Sequence, residues 1–138
     1  MNSVLIIMFV AILVVGVGLL VVISFTRRPS KLLDKAKYQK DWLSIEQSVT
    51  SDVGTQQFAI ILADKLLDRA LKERGFAGQT MGERMAAASR SFTRREAAWA
   101  AHKLRNRIAH DEHVNINPKL TRQVLGSIKR ALRDLEAF

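Results

Sequence analysis

Residues 53–74 read VGTQQFAIILADKLLDRALKER. Ala59, Ile60, Ala63, Leu66, Leu67, Ala70 and Leu71 recur at steps of three and four, the spacing of side chains that share one side of an α-helix. A face that wide marks the stretch as the central helix of an all-α domain. Thr50-Ser51-Asp52 in front of it supplies capping side chains, and Gly75 and Gly78 behind it supply the stop.

The neighbouring stretches repeat the pattern. Residues 31–49, KLLDKAKYQKDWLSIEQSV, carry Tyr38, Trp42, Ile45 and Val49 at helical spacing, a stripe suited to core packing. Thr80-Met81-Gly82-Glu83 has the spacing of a capping box and predicts a short helix over about residues 81–89. Thr93-Arg94-Arg95-Glu96 is a cleaner box, opening a helix over residues 94–110 with a slim apolar face of Ala97, Ala100, Ala101, Leu104 and Ile108. Asn117-Pro118 starts a last helix, whose Leu120, Val124, Ile128, Ala131, Leu135 and Phe138 recur at three or four. No stretch alternates with period two for long, so no sheet is expected. The expectation is a compact bundle of four to five helices over residues 38–138.

Ahead of the bundle, residues 1–3 form a short tail and residues 4–25 read VLIIMFVAILVVGVGLLVVISF. A spanning helix needs about 20 apolar residues, and this run supplies them without a charge. A signal peptide wants a basic start, a shorter apolar core and a small-residue cleavage site. Here MNS precedes the run and Phe25-Thr26-Arg27-Arg28 ends it, so an uncleaved single-pass anchor is expected. Residues 26–37 are a basic juxtamembrane linker and helix start, in which Pro29-Ser30 breaks the first helix and Ser30 offers a cap. Arg27, Arg28, Lys31, Lys35, Lys37 and Lys40 follow the span closely. The excess of basic residues on that side predicts an outward N-terminus and a cytoplasmic C-terminal domain, and the same residues can rest on anionic lipid.

All 22 Lys+Arg and all 13 Asp+Glu of the 138-residue chain lie after Thr26, so the formal net charge of +9 belongs to the C-terminal part. Such a surface attracts polyanions. The absence of cysteine excludes disulfides and thiolate metal sites. There is no glycine-rich phosphate loop and no G-x-S-x-G elbow, which leaves nucleotide and serine hydrolase chemistry without support.

All three histidines fall in residues 99–113, WAAHKLRNRIAHDEH. On a helix Trp99, His102, Asn106 and His110 form one row, with Arg105 on its edge. Arg105, Asn106 and His110 then group a permanent cation, an amide and an imidazole that exchanges protons near neutral pH. The group suits a phosphodiester: arginine holds phosphate through paired hydrogen bonds, histidine moves a proton, and Asn106 orients the imidazole or binds the ligand. A structural alternative pairs Arg105 with Asp111 or Glu112, uses His110 at the helix C-terminus, and leaves His102 on the open face. His102 and His110 lie about 12 Å apart along a helix and cannot share one ion unaided, so no metal and no cofactor are expected. Arg94, Arg95, Lys103 and Arg107 are candidate phosphate contacts, extended by Lys119, Arg122, Lys129, Arg130 and Arg133.

Arg105-Asn106-Arg107-Ile108-Ala109-His110 resembles the R-x(4–6)-H motif of HEPN domains, in the form with a polar residue after the arginine. HEPN domains are small all-α bundles with the motif in a late helix, as here. The resemblance implies a homodimer in which two motifs meet. It also implies metal-independent RNA cleavage, by attack of the 2′-hydroxyl on the adjacent phosphate to leave a cyclic phosphate end. On that model His110 is the acid/base, Arg105 stabilises the developing charge and Asn106 supports. Many family members belong to toxin–antitoxin systems, so an antitoxin or other protein partner is implied, while inactive members serve as binding or dimerisation modules. The membrane anchor is not typical of the family. The expected function is therefore a membrane-anchored HEPN-like RNA binder, with endoribonuclease activity as one outcome. The alternative is a non-catalytic tethered adaptor that binds a protein or nucleic acid.

Overall fold

The computed structural model describes residues 2–26, 31–111 and 113–138, with the side chains of Asn2 and residues 23–26 excepted. The described residues form helices α1 (Asn2–Thr26), α2 (Lys35–Ser48), α3 (Val53–Glu73), α4 (Met81–Ala87), α5 (Arg95–His110) and α6 (Pro118–Asp134), and no strand. Two compact units result, Met1–Ser30 and Lys31–Phe138. The expected cap at Ser30 and the basic pair Arg27-Arg28 lie outside the described residues.

In the first unit, α1 is a 25-residue helix. At the α-helical rise it is about 37 Å long, against about 30 Å of bilayer hydrocarbon. Ser3–Val22 is long and apolar enough to cross a membrane, by length and composition, criteria that a signal sequence also meets.

The second unit is a five-helix bundle organised on α3, which packs against α2, α4, α5 and α6, while α5 also packs on α6. All seven residues of the predicted α3 face are buried. They meet Tyr38, Trp42 and Ile45 from α2, Met85 from α4, and Ile128 and Leu132 from α6. Leu33 joins this core ahead of α2. Burying a side chain such as Leu67 completely contributes on the order of 2 kcal/mol.

Local chemistry sets the helix ends. Asp34, Asp52, Thr80 and Asn117 each accept a hydrogen bond from the backbone N–H three residues on, which satisfies a donor the helix leaves free. Thr80 and Glu83 complete the reciprocal capping box. α3 stops at Gly75, whose φ of 82° favours glycine. There the Gly75 N–H bonds to the Lys72 carbonyl at 2.9 Å and the Phe76 N–H to that of Leu71 at 3.1 Å. α6 ends in the same way on Glu136, a non-glycine at φ 61°, whose carboxylate accepts from Arg74 at 3.0 Å.

Two expectations about α5 need correction. Thr93 does not cap it: the N-cap is Arg94, without a side-chain capping bond. Instead the Thr93 N–H and hydroxyl both donate to Asp134 Oδ2, at 2.8 and 2.9 Å, while Glu96 pairs with Arg95. One carboxylate oxygen of Asp134 thus takes both Thr93 donors, including the N–H that a capping box would give to the Glu96 carboxylate. The buried face is also rotated. Ala98, Ala101 and His102 point inward, Ala97, Leu104 and Ile108 are half-buried, and Ala100 is exposed.

The Thr93–Asp134 contact gives a test. In urea unfolding followed by fluorescence of the buried Trp42, Thr93→Val and Asp134→Ala should be coupled by about 1 kcal/mol. Thr93→Val and Glu96→Ala should add within about 0.5 kcal/mol. Coupling to Glu96 instead of Asp134 would restore the capping box.

Candidate functional site

The polar face of α5 turns inward to meet a carboxylate on α3. Asp64 lies between Ile60 and Leu67 on the apolar side of that helix and is 2% exposed. A buried charge of this kind needs partners. His102 supplies one: its Nδ1 lies 3.0 and 3.2 Å from the two carboxylate oxygens. The other ring nitrogen, Nε2, lies 3.2 Å from the Asn106 amide nitrogen, and Asn106 Oδ1 accepts from Arg105 Nη1 at 3.0 Å. Arg105 Nε sits 3.5 Å from Asp64 Oδ2, an ion pair without a hydrogen bond. With a hydrogen on Nδ1 of His102, Arg105 donates to Asn106, Asn106 to His102, and His102 to Asp64, while the buried Arg105 Nε–H has no hydrogen-bond acceptor. Trp99 closes one side of the network edge-on to His102, with ring centroids 6.2 Å apart.

This arrangement joins Arg105 to Asn106, as the row on α5 predicts, but the imidazole that Asn106 holds belongs to His102, about two turns earlier than His110. His102 is buried, not on the open face. His110 is the last residue of α5 and is exposed. The partner of Arg105 is Asp64; Asp111 pairs with Arg107 at 3.5 Å, and Glu112 lies outside the described residues. Asp64 and His102 were not among the predicted site residues. The available signal was the lone carboxylate inside the run Ile60–Leu67, since a charge on an apolar face calls for a partner elsewhere in the bundle.

A cavity of about 260 Å³ opens beside the network, lined by Asp64, Lys65, Asp68, Arg69, Lys72, Met81, His102 and Arg105. Charges of both signs face it. Asp68 holds Arg84, whose Nε and Nη2 lie 2.8 and 2.7 Å from its Oδ1, while Arg84 Nη1 donates to the Gly78 carbonyl at 2.8 Å. Burial works against ionising Asp68, but the hydrogen bonds and charges of Lys72 and Arg84 outweigh it and hold the carboxyl below its usual range. No group of three or more acidic or histidine side chains among the described residues is arranged to hold a metal ion.

The candidate phosphate contacts Arg94, Arg95, Lys103 and Arg107 are all exposed. Arg95 and Arg107 have acidic neighbours in Glu96 and Asp111, whereas Arg94 and Lys103 form no ion pair among the described residues.

No protein-family model, no curated protein and no solved structure matches the chain. The likeness to HEPN domains therefore rests on residues 105–110 and their setting in an all-α bundle.

Removing the buried carboxylate should be costly and removing the exposed imidazole should not. Asp64→Ala leaves the His102 N–H without its acceptor and the Arg105 guanidinium without its counter-charge, and should lower the unfolding free energy by about 3 kcal/mol. His110→Ala should stay within about 0.5 kcal/mol of wild type. Equal effects in urea titration would refute the network.

Asp68 predicts an acid limb. Its folded carboxyl lies below the unfolded value of about 3.9, so the unfolded chain binds more protons in acid. The stabilisation is complete above about pH 4 and disappears as pH falls through the folded value. Asp68→Asn should be less stable at pH 6 and show a shallower loss below pH 4 than wild type; parallel curves would rule this linkage out.

Proposed function

We propose that the chain is a membrane-held HEPN-like domain that binds RNA and acts on it as a homodimer through Arg105, Asn106 and His110. The supporting observation is the pairing of Arg105 with Asn106, tied to buried His102 and Asp64, with an exposed imidazole one turn further along α5. Such a network holds the cation and amide in one geometry, which is what stabilising a developing phosphorane requires. In the reaction the resemblance implies, His110 of one copy takes the proton from the RNA 2′-hydroxyl as its oxygen bonds to phosphorus. His110 of the second copy returns a proton to the departing 5′-oxygen, leaving a 2′,3′-cyclic phosphate. Arg94, Arg95, Lys103 and Arg107 contact the backbone without reading sequence. α1 anchors the domain, with the N-terminus outside and the bundle in the cytoplasm, in keeping with the basic residues that follow it.

A second reading, the non-catalytic adaptor, draws on a specific feature. Asp64 offsets the charge of Arg105 at 3.5 Å, and both polar atoms of the Asn106 amide are already bonded inside the bundle. Those contacts also suit a purely architectural role.

The test uses the full chain in detergent with single-stranded RNA and a chelator. Cleavage with cyclic phosphate ends is expected, and His110→Ala should lower its rate by about 100-fold or more, the usual loss on removing an acid/base group. RNA bound but left intact by wild type and variant alike would establish the adaptor reading in its place.

A further inference from the structure

We propose that the groove between α5 and α6 seats an acidic amphipathic helix from a protein partner. The two helices run antiparallel, since Thr93 before α5 bonds to Asp134 at the end of α6. Between them lie two hollows of about 500 and 510 Å³ that share Ala97, Gln123 and Ser127. Together they reach from Arg94 to Arg107 on the α5 side, about 20 Å at the α-helical rise. That length accommodates a helix of about 13 residues.

The floor and rim of this trough differ in chemistry. Ala97, Ala100, Leu104, Leu120 and Val124 give the floor an aliphatic character, with small side chains that allow a third helix to approach closely. The rim carries Arg94, Lys103, Arg107, Arg122 and Arg133, and no acidic side chain lines either hollow among the described residues. Arg94, Lys103 and Arg122 form no ion pair within the described bundle. The complement is a helix with apolar residues at steps of three and four on one face and carboxylates along both flanks.

Other occupants fit less well. A second copy meeting this face isologously would set basic rim against basic rim. A lipid surface is too flat to reach a concave floor. A single-stranded nucleic acid would satisfy the rim, but no aromatic ring lines the hollows to stack its bases. The groove lies on a different side of α5 from His102, so the inference does not depend on RNA cleavage. Because Arg94, Lys103 and Arg107 serve both surfaces, a seated acidic helix would exclude RNA from them.

The experiment measures fluorescence anisotropy of labelled probes with the full chain in detergent. One probe is a designed peptide of about 14 residues, with leucines on one face and glutamates on its flanks. The second has the same composition in scrambled order, and the third is a single-stranded RNA of matching length. The designed helix should bind at least about tenfold more tightly than the scrambled peptide. Ala100→Glu on the exposed floor and Arg122→Glu on the rim should each weaken it by about tenfold or more, with unchanged circular dichroism. Equal binding of both peptides, or indifference to Ala100→Glu, overturns the proposal. So does loss of RNA binding in Ala100→Glu without any binding of the designed helix. Failure of the cleavage assay leaves these readings unaffected.

Discussion

A carboxylate buried on the apolar side of a helix is tolerated only if other groups answer it. Asp64 imposes that condition on this bundle. Its answer comes from α5, which must lie close enough to α3 for an imidazole and a guanidinium to reach the same side chain. Ala98 and Ala101 are small and buried, which lets α5 pack close to its neighbours. The orientation of α5 thus follows from one charge on its neighbour, and the positions of Arg105 and Asn106 follow from that orientation.

Elsewhere the bundle uses polar pins near helix ends and apolar packing between them. Arg84 fastens α4 to α3 through Asp68, and Thr93 fastens the start of α5 to the end of α6 through Asp134. Thr121 donates to Gln56 at 3.1 Å and ties the first turns of α6 and α3 in a site closed to solvent. Hydrogen bonds tolerate little sliding, so these pins set the register that hydrophobic contact alone leaves loose. The last turn of α5 lies beyond them, and His110 stands there in solvent while the residues one and two turns earlier are held.

Much of the fold was legible because seven apolar residues of α3 recur at helical spacing as one wide face, and all seven are buried. The alanine-rich helix α5 was misread for a physical reason. In α5 alanines occupy both sides, so periodicity hardly distinguishes Ala97 and Ala100 from Ala98 and Ala101. The inward side was settled by His102 meeting a residue 38 positions away. Thr93 failed as a cap for the same kind of reason, since the acceptor that takes its N–H and hydroxyl lies 41 positions later. The site was legible to the same extent. Arg105 and Asn106 adjoin as their spacing requires, but the imidazole joined to them is the one that sequence reasoning set aside. Local patterns describe what a segment can do alone, and competition from a distant charge is invisible to them.

The hydrogen-bond chain through Asn106 also has a direction. Donors run from Arg105 inward to Asp64, and the imidazole is the only member that both gives and receives through ring nitrogens. Turning the Asn106 amide over would set its nitrogen against the guanidinium and its oxygen against a ring nitrogen that has no hydrogen to give, so both bonds would be lost together. A side chain that elsewhere has two nearly equivalent orientations has one here, fixed outward from the buried carboxylate.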